Sequence, residues 1–499
     1  MRDDPAKPTL SQTVVSTGIA GLDNLLCGGL PADRLHLIQG RPGAGKTTLA
    51  LQFLLEGARR GERGVYVTLS ETSSELRGIA ASHGWSLDNV ELCQLHTAAS
   101  EEDDRYTLYH PAEIELGEVT GEMLQLIDSV QPTRVALDSL SELRLLSRDA
   151  LRYRRQILAL KQFFAGRTCT VLLIDDHSGT DGDAQLESLA HGVIRLDQQS
   201  IEYGIARRRL EIVKMRGVPF VGGYHDATIR TGGLAVFPRL QAEARSAPPG
   251  NLAAGVQGLD DLLGGGLSWG TVTLITGPAG TGKTTVASQY LASALAAGYP
   301  VSAFLFDERH ATFVGRAEAL GLPFASAITS RQMHMAQIQP GSFVAGEFAD
   351  RVRQQVEDRG ARLVLIDTIN GFLAAMPGLT SPVLRLYELL TYLNEMHVAT
   401  VLVMAQQGIL GAAMPVPLDI SYIADTVVLL RFFEASGSVH RAISVVKKRT
   451  GPHESTIREL QIGPDRLRVG AALTHFQGVL TGVPSFTGGT LPDVGPKQP

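Results

Sequence analysis

The chain has 499 residues, 44% hydrophobic and 19% charged, with a formal net charge of −6. That length calls for two or more domains with sizeable cores and argues against general disorder. The acidic balance does not favour a nucleic-acid binder, and no apolar run reaches the roughly 18 residues that a bilayer span needs.

Residues 1–13, MRDDPAKPTLSQT, read as a mobile tail without the apolar core of a signal peptide. Cys27, Cys93 and Cys169 form no CxxC, which argues against a disulfide framework and a zinc site. A reducing, cytoplasmic home and no membrane attachment are expected. Ser16 to Leu30 reads STGIAGLDNLLCGGL and feeds an apolar run ending at Gln39. Glycines 28 and 29 there read as turn residues that end a short helix.

Gly40 to Thr47 then reads GRPGAGKT, between that strand-like run and a helical pattern. This is the context a phosphate-binding P-loop requires. Gly40, Gly43 and Gly45 let the backbone curl so that successive N–H groups, that of Ala44 in the ATP-binding set among them, face one anion, and the next helix adds its positive N-terminal end. Lys46 is expected to reach the outer phosphates and the Thr47 hydroxyl to ligate Mg²⁺, with Thr48 completing the ATP-binding set. The next strands, Gly64–Leu69 and Thr133–Asp138, end in Ser70-Glu71 and in Asp138. Later strand-like runs end in Asp175-Asp176 and in Lys214-Met-Arg216-Gly217. Acidic residues at carboxyl ends of buried parallel strands fall where such sheets bind ligands. Asp138 therefore reads as the Walker B carboxylate of the Mg²⁺ shell, although an aspartate there also suits a helix N-cap. A γ-phosphate-sensing role for Asp175-Asp176 competes with a solvated loop.

After a Pro/Gly-rich linker, Arg239 to Asn251, the order repeats. AAGVQGLDDLLGGGL (Ala253 to Leu267) precedes GPAGTGKT (Gly277 to Thr284), and one interval relates Gly21 to Gly258 and Lys46 to Lys283. Gly277, Gly280, Thr281, Gly282, Lys283, Thr284 and Thr285 take the ATP-binding roles, with Thr284 on the metal. The second strand ends at Asp307-Glu308 and the third at Asp367, the second Walker B aspartate; Gln406-Gln407 and Lys447-Lys-Arg449 follow. A whole domain is thus written twice. Expected bounds are a first domain over 14–238, a linker over 239–251, a second domain over 252–470 and a tail over 471–499. In the tail, Leu473–Leu480 reads as an amphipathic turn or two and Pro484–Pro499 as disordered. The fold class is α/β: two tandem RecA-like P-loop NTPase domains, each a mostly parallel twisted sheet with helices on both faces.

The ordered set of GLDNLLCGGL, P-loop, VTLSET, LDSLSEL and KMRG, then GLDDLLGGGL, P-loop, LFDER, LIDT, DISYIADTVVLL and KKRT, resembles the KaiC family over about residues 14–484. The resemblance implies a double-ring homohexamer with ATP between neighbouring subunits. Lys214 and Arg216, and likewise Lys447 and Arg449, would then reach phosphates on the next subunit's P-loop. Two carboxylates after the second strand would act as catalytic base and helper. Asp307 and Glu308 keep that pair, whereas the first domain has Ser70 and Glu71, leaving Glu71 alone. Serine cannot accept a proton from water at neutral pH, so slow or altered first-domain hydrolysis is expected. The family also phosphorylates itself at neighbouring Ser and Thr residues; Ser421 falls on the serine and Tyr422 replaces the threonine. The expectation is an ATP- and Mg²⁺-dependent ring ATPase and Ser/Thr autokinase acting as a signalling or timing switch, its tail docking regulatory proteins. A RecA- or RadA-like DNA-binding ATPase and a nucleotide-gated scaffold without kinase activity are the alternatives.

Overall fold

The computed structural model describes residues 13–95, 111–147, 150–176, 186–201, 203–242, 245–376, 381–406, 422–435, 437–464, 466–479 and 485–486. Residues 1–12 of the tail expected over 1–13, as well as Gln407, Ser421 and Leu480, lie outside the described residues. The chain divides into two compact units, 1–202 with 206–239, and 203–205 with 240–499.

In the first unit a small hairpin pairs β1 (Val14–Val15) with β2 (Leu30–Pro31). The main strands are β3 (Leu35–Gly40), β4 (Gly64–Thr68), β5 (Val90–Gln94), β6 (Arg134–Asp138), β7 (Thr170–Asp176), β8 (Gly192–Gln199), β9 (Arg207–Met215), β10 (Tyr224–Arg230) and β11 (Gly233–Phe237). They form one nine-stranded sheet in the order β11-β10-β9-β8-β3-β7-β6-β4-β5. From β8 to β5 the pairs are parallel, and β9 to β11 continue antiparallel. Strand alternation sends Ile38, Ala136, Leu172 and Ile174 into one apolar cluster and Leu37, Val135, Leu137, Val171 and Leu173 into another. A sheet buried on both faces explains why its strands read as continuous apolar runs.

The second unit repeats the plan. The hairpin β12 (Asn251–Leu252) with β13 (Leu267–Ser268) precedes β14 (Val272–Gly277), β15 (Val301–Leu305), β16 (Met333–Gln337), β17 (Leu363–Asp367), β18 (Ala399–Ala405), β19 (Thr426–Ala435), β20 (Ser438–Lys448), β21 (Arg458–Ile462) and β22 (Leu467–Ala472). Their order is β16-β15-β17-β18-β14-β19-β20-β21-β22. Strand for strand this matches the first unit. Again two apolar clusters cover the two faces, one taking Ile275, Leu365 and Val403, the other Leu274, Ile366 and Leu402.

The structure departs from expectation after residue 472. The expected amphipathic turn includes β23 (Phe476–Gln477), which pairs antiparallel with β24 (Ser485–Phe486) inside the stretch expected to be disordered. Aromatic packing accounts for it: the Phe476 ring lies 5.2 Å from Phe433 and 5.5 Å from Phe486.

The repeated Gly-Leu-Asp motif is structural. Asp23 accepts hydrogen bonds from Thr17 N (2.8 Å), Thr17 Oγ1 (2.7 Å) and Ser16 Oγ (2.6 Å), and Asp260 accepts from the backbone N–H groups of Ala254 (2.6 Å) and Gly255 (3.0 Å). A Cβ on Gly21 would lie 1.8 Å from the Val236 carbonyl oxygen, and one on Gly258 would lie 2.8 Å from that of Val469. The motif locks the start of each unit to its last sheet strand, against which nothing larger than glycine fits.

Candidate active sites

Each P-loop connects a central strand to a helix, β3 to Lys46–Arg59 and β14 to Lys283–Ala296. Gly45 and Gly282, with φ of 106° and 96°, open those helices in the left-handed region that glycine adopts without strain. Cβ atoms on them would lie 2.6 Å from Ile229 and 2.4 Å from Ile462. Ala44 and Thr281 are fully buried beneath the loops, Thr281 Oγ1 donating to Pro278 O at 2.9 Å. Thr48 and Thr285 are buried in the first helical turns. Gly43 and Gly280 expose the loop crest, and Arg208 and Arg441 donate to their carbonyls at 3.3 and 3.2 Å. These two arginines lie on β9 and β20, far from the P-loops in sequence. Only the antiparallel register reveals them.

The two lysines have different surroundings. Lys46 Nζ donates to Gly40 O (2.8 Å), Arg41 O (3.2 Å) and the Asp176 carboxylate (2.7 Å). Lys283 Nζ donates to Pro278 O at 2.7 Å and has no carboxylate partner among the described residues. Burial lowers its pKa, opposed by nearby Asp367.

Asp138 ends β6 and Asp367 ends β17, and both are followed by a cis peptide bond. Asp138 Oδ2 accepts from Thr47 Oγ1 at 3.3 Å and from the buried Tyr66 hydroxyl. Burial raises its pKa, opposed by the Tyr66 hydrogen bond, the Lys46 charge and the Thr47 hydrogen bond. Tyr66 is therefore a site residue that was read in the sequence only as part of a strand. Sheet register puts Ala303 in the corresponding place of the second unit. There Asp367 keeps the Thr284 hydrogen bond, but its Oδ2 is buried with no hydrogen-bond partner among the described residues. Its carboxyl is raised to about 6, chiefly by burial, with Glu308 adding and Thr284, Arg316 and Lys283 opposing.

In the first unit Thr68 Oγ1 accepts from Ser70 N (3.3 Å) and Glu71 N (2.9 Å), shaping the turn after β4. Glu71 Oε2 is buried without a hydrogen-bond partner among the described residues. Burial, and then the Asp138 charge, raises its pKa. In the second unit Asp307 accepts from Thr368 Oγ1, which also caps the helix Ile369–Ala375 by accepting from Gly371 N at 3.0 Å. Glu308 is held by Arg316 through two bonds of 2.7 and 2.8 Å. Asp307 is exposed at the strand end while Glu308 is neutralised behind it.

The Lys-x-Arg turns lie at the opposite end of the sheet. Gly192 pairs with both His36 and Met215, whereas Gly40 pairs with Leu196, four positions further along β8. At roughly 3.3 Å per residue, about 13 Å of strand separates the first turn from its own P-loop level. In the second unit Thr426 pairs with Thr273 and Lys448, again four positions before Gly277. Lys214 donates to Glu187 O and Arg216 to Ser188 O (2.9 Å), while Lys447 donates to Ala424 O (2.7 Å). Arg449 donates to Tyr422 O at 2.9 Å and stands 3.4 Å from the Asp425 carboxylate. Tyr422 itself is exposed.

These cradles fit a nucleoside triphosphate. The glycines are required by close approach, a buried lysine reaches the loop, and a helix N-terminus faces it. Thr47 with Asp138, and Thr284 with Asp367, would hold the Mg²⁺ that neutralises phosphate charge. No group of three or more His, Cys, Asp or Glu among the described residues is placed to hold a metal. Mg²⁺ held by Thr47 with Asp138, or Thr284 with Asp367, would take its remaining ligands from phosphate oxygens and water.

Sheet order, paired P-loops and strand-end aspartates define a tandem P-loop ATPase. The family model described as "ATPase: KaiC" matches residues 15–241 and again 252–473. The chain is 26% identical to circadian clock protein KaiC3 of Synechocystis sp. over 95% of both chains. It is 27% identical to the circadian clock oscillator protein KaiC of Synechococcus elongatus, over 94% of this chain and 91% of that one. The chain belongs to the KaiC ATPase family. No helix among the described residues is long and apolar enough to cross a membrane.

Proposed function

We propose that this chain is an Mg²⁺-dependent ATPase that assembles as a hexameric double ring, with autokinase activity in its second unit, and acts as a nucleotide- and phosphate-controlled switch. The observation that carries the ring reading is the position of the Lys-x-Arg turns, four strand residues from their own P-loops and at the other end of the sheet. Positive charge placed there serves a phosphate on a neighbouring copy, as an arginine finger does. The test mixes two inactive chains, both carrying Lys46→Ala to silence the first site. One adds Lys283→Ala and keeps its fingers; the other adds Arg449→Ala and keeps its P-loop. Random mixing around a heterologous ring should restore about a quarter of the single-mutant rate. No recovery in a mixture that co-assembles would sink the trans role.

In the first unit Glu71 is the proton acceptor, supported by its buried, unpartnered oxygen and raised pKa. In the second unit Asp307 is the base, because Glu308 is engaged by Arg316. Autophosphorylation falls on Ser421, with Tyr422 a secondary acceptor. Arg449, bonded to Tyr422 O, links that segment to the finger. Intact mass after incubation with Mg-ATP should rise by one phosphate mapped to Ser421, absent in Lys283→Ala. Steady ATP hydrolysis without any phosphate on the chain would leave a ring ATPase that signals by nucleotide state alone. Regulatory proteins are proposed to dock at the C-terminal tail.

A further inference from the structure

Register exposes an exchange between the two sites. Gly40 pairs with Asp176, and Gly277 pairs with Ala405, so Asp176 and Ala405 end equivalent strands beside equivalent P-loops. After β4 and its counterpart β15, each one strand removed from the strand that carries Asp176 or Ala405, the exchange runs the other way, with Ser70 in the first unit where Asp307 stands in the second. Each site thus keeps two carboxylates besides its Walker B aspartate: Glu71 and Asp176 in one, Asp307 and Glu308 in the other. Asp176 is within range of the chemistry, its Oδ1 2.7 Å from Lys46 Nζ, the atom expected to meet the outer phosphates. Its backbone is fixed, with the N–H donating to Ser141 Oγ at 3.0 Å and Ser141 Oγ donating in turn to the buried Asp175 at 3.0 Å.

We infer that Asp176 is a catalytic residue of the first unit, supplying from the β7 end the second carboxylate that Ser70 no longer provides. In the structure its carboxylate pairs with Lys46. With ATP in the cradle the lysine turns to phosphate, and the freed carboxylate accepts a hydrogen bond from the attacking water. The water oxygen bonds to the γ-phosphorus and the bond from that phosphorus to the β–γ bridging oxygen breaks, its electron pair leaving on ADP. One water proton passes to Glu71; the other stays in the product phosphate. The first unit is then a working ATPase rather than the slow one that Ser70 alone implies. This rests on the ATPase reading of that unit.

The experiment uses the full chain carrying Lys283→Ala, so that turnover reports the first site, with binding of a fluorescent ATP analogue measured in parallel. Adding Asp176→Asn should lower turnover by about tenfold or more, the ordinary worth of a positioned acid–base group. Analogue binding should hold or tighten, because Lys46 loses a competing anion. Ser70→Asp in the Asp176→Asn chain should recover most of the rate. Unchanged turnover in Asp176→Asn, or a loss matched by weaker binding and not recovered by Ser70→Asp, overturns the role of Asp176. If the Lys283→Ala chain binds the analogue but never hydrolyses ATP, the ATPase reading of the first unit fails, and this inference with it.

Discussion

Burial raises the Asp367 carboxyl to about 6 from its ordinary 3.8, and no tyrosine hydroxyl among the described residues relieves it as Tyr66 relieves Asp138. An acid whose pKa is raised in the folded chain contributes stability that is complete below its ordinary value and is lost as pH rises through about 6. Mg²⁺ favours the ionised carboxylate, so loading the second site near pH 6 expels a proton. Calorimetry of Mg-ATP binding to Lys46→Ala, run in buffers of different ionisation enthalpy, should therefore show proton release that fades by about pH 8. Asp367→Asn should abolish it. Equal release from that variant would place the titrating group elsewhere.

At the scale of elements, the strands were legible because parallel β-sheet buried on both faces leaves continuous apolar runs. Leu35–Gly40, Gly64–Thr68 and Val301–Leu305 fall within a residue or two of their expected bounds. The P-loops were legible because phosphate binding fixes glycine, lysine and hydroxyl at close spacing. What sequence could not give was anything set by lateral register. Tyr66 against Asp138 joins two strands 72 positions apart, and Arg208 against Gly43 spans 165. Asp176 was noticed, but only β3–β7 pairing aims it at Lys46. The Gly-Leu-Asp signature was read mainly as a mark of duplication. Its cause is the hydrogen-bonded turn and the approach of Gly21 to Val236, neither visible without the last sheet strand. The Phe476–Phe486 pairing was missed because two-residue strands leave no periodic trace.

At the scale of the whole chain, duplication has kept the scaffold and altered the chemistry. Equivalent register positions hold Tyr66 and Ala303, Asp176 and Ala405, so two similar P-loops stand among different groups. Each unit has its own pair of apolar clusters and its own P-loop, so each should gain stability from its own ligand. At a free nucleotide concentration one hundred times Kd, that gain is about 2.7 kcal/mol for a unit whose unfolded state does not bind. Hydrogen exchange of the full chain with a non-hydrolysable ATP analogue and Mg²⁺ resolves the two contributions. Lys46→Ala should remove ligand protection from β3, β6 and β7 while leaving β14, β17 and β18 protected, and Lys283→Ala should do the reverse. If either substitution strips both sheets, the sites are coupled, and linkage requires the coupling to be equal in both directions. The proposed switch, passing nucleotide state from one unit to the other, needs that coupling, and independent loss in the two variants would count against it.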